Sequence, residues 1–367
     1  MNILLEHAGV RQGECRAGAV RRARARRLVG LIAIGGLVGI SGPPAAAQRA
    51  APCDRACLLG AADAYLAALA AHDPSRAPLA PAVKFTEQAK VLPVGEGLWK
   101  SAVEAPTTFK IAVPDPVAGQ IGVMAVMKAS ASAFPAPPGR GGAVPADAGP
   151  AVIQLALRLK LQNRQITEAE HLIARITNPT SLANLRTPRA AFLATVPPRD
   201  RSPRRIMLLI ANSYYDAITQ NDGDLAPFAD DCDRRENGMH TAGVRGSAPP
   251  LDEGRGAGAF RLQSCRDQIT SRALSYITSI DLRRVWIADE EKGLVFALSM
   301  FRQPMEQKSV TLLNPDGTTA ERPMNFDPFD LEAAHIFKIA GGQIHEIEAM
   351  GFVLPLNSRN GWNPFTR

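Results

Sequence analysis

One six-residue phrase occurs twice in this chain, and its repetition constrains the fold more than any other feature. Residues 165–170 read QITEAE, and residues 343–348 read QIHEIE after a similar turn-like break, 178 positions later (343 − 165). A phrase repeated at this distance indicates two copies of one structural unit rather than a single large domain. The chain has 367 residues, which is long enough for two domains.

Two further blocks recur in the same order, which favours a duplication over chance similarity. Residues 65–88 match residues 214–237 at a constant offset of 149, and residues 122–127 resemble residues 293–298 at an offset of 171. Because the offset rises along the chain, we expect insertions in the second copy. The polar loop at residues 243–265 supplies most of the first insertion.

Each copy predicts one amphipathic helix followed by a series of strands. Apolar side chains recur at helical spacing, at Leu58, Tyr65 and Leu69 in the first copy and at Ile210 and Tyr214 in the second. Turn signals end both helices, and strand-like runs fill the rest of each copy. We therefore predict an α+β fold of two tandem cone-shaped domains, each a curved antiparallel sheet wrapped on N-terminal helices.

The boundaries of the two copies follow from the matched blocks. We place the first domain at residues 52–175 and the second at residues 204–367, which includes a C-terminal tail. Residues 176–203, which are rich in proline and arginine, are predicted to be the linker between them.

The first 47 residues are typical of a secretory signal peptide. Residues 21–27 are rich in arginine, residues 28–42 form an apolar run, and Ala45 and Ala47 offer a small-residue cleavage site. The run is shorter than the roughly 20 residues of a membrane span. We expect export and cleavage, which leaves no membrane anchor, and a periplasmic or secreted protein.

Cysteine usage agrees with export. Beyond the leader the chain holds Cys53, Cys57, Cys232 and Cys265, and an even number in an exported chain favours disulfides. Cys53 lies close to Cys57, and Cys232 and Cys265 flank one polar loop, so we favour these two pairs. The other two connectivities stay open. The spacing does not resemble a zinc site, and we predict no metal.

The net charge of +7 at first suggests a nucleic-acid partner, but its location argues against one. Residues 1–47 hold seven arginines against two glutamates, so the remainder of the chain carries only +2. No phosphate-binding loop, nucleophile elbow or H-E-x-x-H motif is present. We predict no cofactor and no nucleic-acid partner. Both a monomer and a homodimer are compatible with the sequence.

Three segments carry a resemblance to a known superfamily. Each first helix ends in AAHD or TQND and leads to APLAPAVKF or APFADDCDR, and the chain closes on FKIAGGQIHEIEAMGF. This pattern resembles the nuclear transport factor two-like fold of ketosteroid isomerase, scytalone dehydratase and the polyketide cyclases, over most of residues 52–175 and 204–356. The segment CDRRENG is similar to tandem secreted members of unassigned function.

The resemblance implies a pocket with one ionisable group and a hydrogen-bond donor inside an apolar cone. The second copy is richer in such groups, because it reads RREN where the first copy reads FTEQ. Our candidate catalytic residues are His335, His345, Tyr215 and Asp216. Our candidate substrate-binding residues are Arg235, Glu236 and Asn237.

The closing phrase also predicts which side chains face the pocket. Strand alternation places Ile344, Glu346 and Glu348 on one face and His345 with Ile347 on the other. Because glutamate avoids burial unless it is paired, we expect the two glutamates on a solvated outer face. His345 would then face the pocket.

These features predict a cofactor-independent lyase, dehydratase or isomerase that acts on a small, partly apolar organic molecule in the C-terminal cone. His335 or His345 would move the proton, and Arg235, Asn237 or Tyr215 would hold an oxyanion or carboxylate. Ring-fused polyketides, sterols, lignin-type aromatics and oxidised sugars all suit such a pocket. The alternative is a non-catalytic protein that uses the cone for ligand binding or assembly.

Overall fold

One long helix precedes each sheet in the described part of the chain, as predicted. The structure, a computed structural model, describes residues 52–133, 149–243, 263–314 and 316–362. Helix α1 spans Arg55–Ala70, and helix α5 spans Arg204–Gln220. Four short helices complete the set: α2 at Leu98–Ser101, α3 at Pro179–Asn184, α4 at Ala190–Leu193 and α6 at Cys265–Thr270.

The two long helices lead into the same kind of turn. A 3-10 turn at Pro74–Arg76 begins with Asp73, whose carboxylate accepts from the Ser75 amide at 3.0 Å. A second turn at Gly223–Leu225 begins with Asp222, whose carboxylate accepts from the Asp224 amide at 2.9 Å. Asp73 and Asp222 are 149 residues apart, so the local capping reproduces the offset seen in the sequence.

The first sheet contains the strands of the N-terminal half. The strands are β1 at Leu79–Glu87, β2 at Lys90–Val91, β3 at Ala102–Glu104, β4 at Lys110–Asp115, β5 at Gln120–Ala129, β6 at Ala151–Gln162 and β7 at Gln165–Arg175. Their order is β2-β1-β7-β6-β5-β3, and β4 also pairs with β5. The pair β1–β7 is parallel and the other pairs are antiparallel.

The second sheet repeats this plan in the C-terminal half. Its strands are β8 at Phe228–Glu236, β9 at Met239–Ala242, β10 at Ser279–Asp289, β11 at Leu294–Gln303, β14 at Phe329–Ala340 and β15 at Gln343–Pro355. Their order is β10-β11-β14-β15-β8-β9, and β8 and β15 pair in parallel. A separate hairpin joins β12 at Ser309–Leu313 to β13 at Thr319–Pro323.

The register of the parallel pairs matches between the two sheets. Glu87 pairs with His171 in the first sheet, and Glu236 pairs with Ala349 in the second. These positions differ by the same offsets, 149 and 178, that the sequence repeats show. The curled sheets packed on helices confirm the predicted α+β class, although a parallel pair closes each otherwise antiparallel sheet.

The two sheets share a buried core. One cluster of buried side chains includes Phe109 and Leu172 from the first sheet and Phe296 from the second. Gly122 lies against Phe296 so closely that a β-carbon there would come within 2.1 Å of the Phe296 Cγ atom. Since residues 49–367 form one compact unit, the boundaries of separate domains stay a prediction.

The segment predicted to be a linker is packed rather than extended. It contains α3 and α4, and Phe192 in α4 is buried in the core that both sheets share. Arg189 donates to the Ile347 carbonyl at 2.7 Å and to the Asp233 carboxylate at 2.6 Å. The segment therefore covers the outer face of strands β8 and β15.

This cover overturns the expected solvation of the two glutamates in the closing strand. Arg189 pairs with Glu346 and, at 3.2 Å, with Glu348, whose side chain is only 2% exposed. Burial raises the pKa of the Glu348 carboxyl to about 7, although Arg189 opposes the shift. The prediction of a solvated face is wrong because a neighbouring segment supplies both the cover and the counter-ion.

The expected alternation also breaks within this strand. Ile344 pairs with Ile339 and Glu346 pairs with Lys338, so His345 is the extra residue of a β-bulge. Ile344 and Ile347 consequently both lie in the core of the C-terminal half. The first sheet has the same irregularity at Thr167, 178 residues earlier.

A chain of buried ion pairs also links the two sheets. Arg158 donates to Glu170 at 2.9 Å within the first sheet, and Arg284 of the second sheet donates to the same Glu170 oxygen at 2.5 Å. Arg284 also reaches Glu332 at 3.3 Å. Burial, together with the nearby charge of Glu170, raises the pKa of the Glu332 carboxyl well above its ordinary value.

Both predicted disulfides are present, which confirms the favoured pairing. They join Cys53 to Cys57 and Cys232 to Cys265. Within the described ranges no helix is long and apolar enough to cross a membrane, and no cluster of metal-ligating side chains occurs. The predicted signal peptide, residues 1–47, lies outside the described residues.

Candidate functional site

A cavity of about 120 Å³ lies between helix α5 and the second sheet. Its apolar wall includes Ile218, Phe301, Leu331 and Met350. Six polar residues share this lining: Tyr214, Glu236, Asn237, Tyr276, Gln303 and His335. An apolar cavity with a few converging polar groups is the usual form of a small-molecule site.

A larger depression, about 400 Å³, lies elsewhere on the C-terminal half. It is lined by polar side chains, namely Gln220, Asn221, Arg272, Ser275, Gln307 and Thr311. Its lining includes no apolar side chain. We therefore place the candidate site in the smaller cavity.

His335 is the central polar group of the cavity. It lies on β14 between Ala297 and Ala349 of the neighbouring strands, whose small side chains leave room for the ring. The rings of Phe301 and Phe337 stack on it, each with its centroid 5.7 Å away. Burial, with a smaller contribution from the charge of Arg234, lowers the pKa of His335 to about 3, so the imidazole is neutral near pH 7.

The hydrogen bond to Tyr215 bears on the tautomer of this neutral ring. The Tyr215 hydroxyl is buried and lies 3.2 Å from His335 Nδ1, and Ser299 is a second hydrogen-bonding neighbour of the same hydroxyl. When the Tyr215 hydroxyl donates to Nδ1, the ring hydrogen lies on Nε2, and His335 then presents an N–H donor there.

Glu236 supplies the carboxylate of the cavity, and Arg234 holds it. Arg234 Nε lies 3.1 Å from Glu236 Oε1, and the Glu236 side chain is 45% exposed. Arg234 also donates to the Tyr214 hydroxyl at 3.1 Å. Burial raises the pKa of Tyr214 to about 12, so this hydroxyl keeps its proton and can donate it onward.

The arginine that pairs with Glu236 is Arg234 rather than the predicted Arg235. Strand alternation along β8 turns Arg234 and Glu236 to the same side and Arg235 to the other. Arg235 lies instead near Asp233, at 3.8 Å, on the face that the 176–203 segment covers. Applying the alternation rule to RREN would have identified Arg234.

Asn237 lines the cavity, but its side-chain amide is already in use. Its Nδ2 donates to the Gly351 carbonyl at 3.1 Å, and its Oδ1 accepts from the Gly351 amide at 3.0 Å. The backbone has a positive φ of 46°, which asparagine tolerates better than most residues. Asn237 therefore joins the end of β8 to β15.

Two other predicted catalytic residues lie away from the cavity. His345 Nδ1 lies 2.7 Å from the Asp231 carboxylate at the surface, because the bulge turns it out of the alternation. Asp216 pairs with Arg283 at 2.6 Å and does not line the cavity. The structure thus brings together His335, Tyr215, Glu236 and Asn237 from the predicted set.

Tyr276 was not predicted to be part of the site. It lies in the segment between α6 and β10, where neither helical nor strand periodicity marks an inward position. Burial raises the pKa of its phenol, so it stays protonated. Only its position in the fold identifies it as a cavity residue.

The N-terminal half holds a related but sealed arrangement. The Tyr65 hydroxyl lies 3.0 Å from His171 Nε2, and His171 Nδ1 lies 3.1 Å from Glu87. The buried Trp99 ring packs edge-on against Tyr65, and the Leu98 amide donates to Glu87 at 2.9 Å. Helix α2 therefore covers the buried polar side chains of Tyr65, His171 and Glu87.

The two histidines occupy one place in the fold but lie on different strands. In the first sheet Leu157 pairs with His171, and in the second His335 pairs with Ala349. Leu157 corresponds to His335, and His171 corresponds to Ala349, at the offset of 178. The imidazole therefore lies on β7 in the first sheet and on β14 in the second, at corresponding paired positions.

Comparison with known proteins gives a family match to part of the chain. Residues 200–351, less than half of the sequence, match the family described as a domain of unknown function (DUF8021). No curated protein matches the chain.

Two solved structures show a distant likeness. A proposed polyketide cyclase from Silicibacter sp. TM1040 is 11% identical over 41% of this chain and 90% of its own, with a TM-score of 0.25. AclR, a proposed hydroxylase from Streptomyces galilaeus, is 14% identical over 40% of this chain and 92% of its own, with the same TM-score. Such values are too low to bear on function.

Proposed function

We propose that the C-terminal half is a cofactor-independent lyase or isomerase that moves a proton on a small organic molecule. One observation carries the proposal. A neutral histidine and a half-exposed carboxylate line the same largely apolar cavity. A base and an oxyanion donor beside an apolar wall are what proton abstraction next to a carbonyl requires.

Glu236 acts as the base in this proposal. Its carboxylate takes a proton from the carbon next to the substrate carbonyl, and the released electron pair forms a C=C bond as the oxygen becomes an enolate. An isomerase returns that proton to another carbon. A dehydratase instead expels a hydroxyl group from the next carbon, and the proton leaves with it as water.

His335 acts as the donor rather than as the group that moves the proton. A ring with a pKa of about 3 is a poor base near pH 7. Its Nε2–H can hold the developing oxyanion, and the Tyr214 hydroxyl can add a second donor. Tyr215 is a positioning residue, since it fixes the tautomer of His335 through Nδ1.

The proposed location is the periplasm or the exterior of the cell. Two disulfides are compatible with an oxidising compartment, and the leader-like residues 1–47 agree with export. The test is fractionation of cells that produce the full chain, followed by mass measurement of the mature N-terminus. An intact N-terminus in the cytoplasm would contradict export.

The activity can be tested without knowing the natural substrate. Exchange of the α-hydrogens of cyclohexanone in D2O, followed by proton NMR, reports proton abstraction directly. We expect Glu236→Gln to lower the catalysed rate by about 10²-fold or more, and His335→Phe by about 10²–10³-fold. His335→Gln, whose amide can still donate, should retain more of the rate than His335→Phe.

Glu104→Gln provides the matched control, because Glu104 forms an exposed ion pair with Lys128 in the N-terminal half. This variant should exchange at the parental rate. Full exchange in Glu236→Gln would exclude Glu236 as the base. Ligand binding without any exchange would favour the second candidate function, a non-catalytic binding protein.

A further inference from the structure

We infer that the C-terminal cavity selects an uncharged carbonyl compound of one ring and excludes carboxylates of the same size. The inference rests on the proposed function, because it names the substrate class of the same cavity. It is carried by the size of the cavity, by its aromatic wall and by the way in which Arg234 and Glu236 neutralise each other.

The size of the cavity limits the ligand to about one ring. Its volume is about 120 Å³, and a protein cavity of about 150 Å³ holds a single benzene molecule. Sites for larger ligands occupy about 300 Å³ or more. The ring-fused polyketides and sterols considered from the sequence therefore exceed this space, and a single ring is the largest group that it can enclose.

The wall of the cavity suits a flat ring. Tyr214 and Phe301 lie with their ring centroids 5.5 and 5.7 Å from His335, and Tyr276 lines the cavity with them. Aromatic faces and edges favour another ring at these separations. A ring held there can direct a carbonyl oxygen to His335 Nε2 and an adjacent C–H bond to Glu236.

The charges of the cavity disfavour an anionic ligand. Glu236 is the one charged side chain among the described residues that line it. Arg234, the cation paired with Glu236, is fully engaged, since it also binds Tyr214, Thr241 and, in a short contact, Gln268. A ligand carboxylate would face Glu236 without a counter-ion of its own.

The same pair disfavours a cationic ligand. The positive charge of Arg234 extends into the cavity, where it helps to lower the pKa of His335. Arg234 Nε lies 3.1 Å from Glu236 Oε1, and this ion pair offsets much of the negative charge of Glu236. A protonated amine therefore gains less from Glu236 than it would from an unpaired carboxylate.

Three fluorinated probes of one size test the inference by fluorine NMR titration. They are 4-fluorobenzaldehyde, 4-fluorobenzoate and 4-fluorobenzylamine, which are neutral, anionic and cationic at pH 7. We expect the aldehyde to bind at least tenfold more tightly than the benzoate or the amine. The two-ring probe 6-fluoro-2-naphthaldehyde should bind at least tenfold more weakly than the one-ring aldehyde.

Two variants identify the groups responsible. Glu236→Gln should reduce the ratio of aldehyde affinity to benzoate affinity at least fivefold, because it removes the negative charge that repels the benzoate. His335→Phe should weaken aldehyde binding several-fold by removing the donor to the carbonyl. The control Glu104→Gln should leave all four affinities unchanged.

Any of three results would overturn the inference: benzoate or amine binding as tightly as the aldehyde, the two-ring probe binding as tightly as the one-ring probe, or no binding of the aldehyde. These results are distinct from failure of the proposed function. If the neutral probe binds selectively but no exchange occurs with cyclohexanone, the selectivity stands and the catalytic proposal fails. If exchange occurs but benzoate binds best, the catalytic proposal stands and the selectivity fails.

Discussion

The candidate site depends on a histidine that the protein keeps neutral. His335 is enclosed by aromatic rings, and its Nδ1 lies 3.2 Å from a buried tyrosine hydroxyl. Protonating it in the folded state would place a charge in an apolar core beside Arg234. The unfolded chain has no such restriction, so stability must depend on pH.

We predict that His335→Gln reduces the loss of stability on acidification. The folded-state pKa lies at about 3, below the ordinary 6.5, so the unfolded state takes up the proton first as the pH falls through 6.5. The wild-type protein should lose about 2 kcal/mol of unfolding free energy between pH 7 and pH 5 through this residue. Urea unfolding at both pH values measures the difference.

The control is Val117→Thr, which changes an exposed side chain in the turn between β4 and β5 and removes no ionisable group. Its stability should follow that of the wild type between pH 7 and pH 5. Equal pH dependence in the wild type and His335→Gln would contradict the assignment of His335 as a buried neutral ring.

Side-chain chemistry alone selected two residues that the structure places at one cavity. His335 in an apolar strand and Glu236 after the repeated segment were candidates because few ionisable groups occur there. It failed at Arg235, where alternation was not applied, and at His345, where a bulge broke the alternation. Nothing local marks Tyr276, which reaches the cavity only through the path of its loop.

At the scale of helices and strands, the repeat was the most informative feature. The two long helices, the turns after them and the closing hairpins all lie where periodicity and turn residues predict them. The parallel pairs β1–β7 and β8–β15 were not predicted, because pairing between the two ends of a copy leaves no local signal. Helix formation is local, whereas strand partners depend on the whole chain.

The two disulfides belong to this scale, because each constrains the connection between elements. We predict that removing the Cys232–Cys265 bond costs more stability than removing Cys53–Cys57. The first closes a span of 33 residues and the second a span of 4, and loop entropy predicts losses of about 4 and about 2 kcal/mol. Urea unfolding of the two double Cys→Ala variants compares them.

Each double variant serves as the reference for the other, since both lose two sulfur atoms. A larger loss for the Cys53 and Cys57 variant would show that local strain or packing at α1 outweighs loop entropy. Equal losses would contradict the dependence on span.

At the scale of the whole molecule, the halves are joined by more than apolar packing. Arg158 and Arg284 both donate to Glu170, and Arg284 also reaches Glu332. Glu168 extends this network, because it contacts Arg158 at 2.8 Å and Lys160 at 2.9 Å. Burial and Glu170 therefore favour the protonated form of Glu332. The sequence could not predict this, because the partners lie on different sheets.

We predict that Glu332→Gln makes the protein more resistant to alkaline conditions. The folded-state pKa of Glu332 is raised above 4.5, so the folded state holds its proton while the unfolded state releases it. Wild-type stability should therefore fall, relative to the variant, as the pH rises above 4.5. Thermal unfolding of both proteins between pH 5 and pH 9 measures the difference in their stability at each pH.

The charges around Glu332 come from three neighbours: Glu170 on β7, Arg284 on β10 and Arg302 on β11. Glu104→Gln again serves as the exposed control and should show no such gap. Parallel curves for wild type and Glu332→Gln would mean that Glu332 is ionised in the folded protein.

The exchange of a histidine between neighbouring strands affects how relatives should be compared. If the halves descend from one ancestor, each half kept an imidazole packed against its long helix. The sequence position that supplies this imidazole changed between the halves. A relative with leucine at the position of His335 need not have lost its imidazole, provided that histidine stands at the position of Ala349. An alignment should therefore be inspected at both positions, that of His335 and that of Ala349, before a relative is said to lack the histidine.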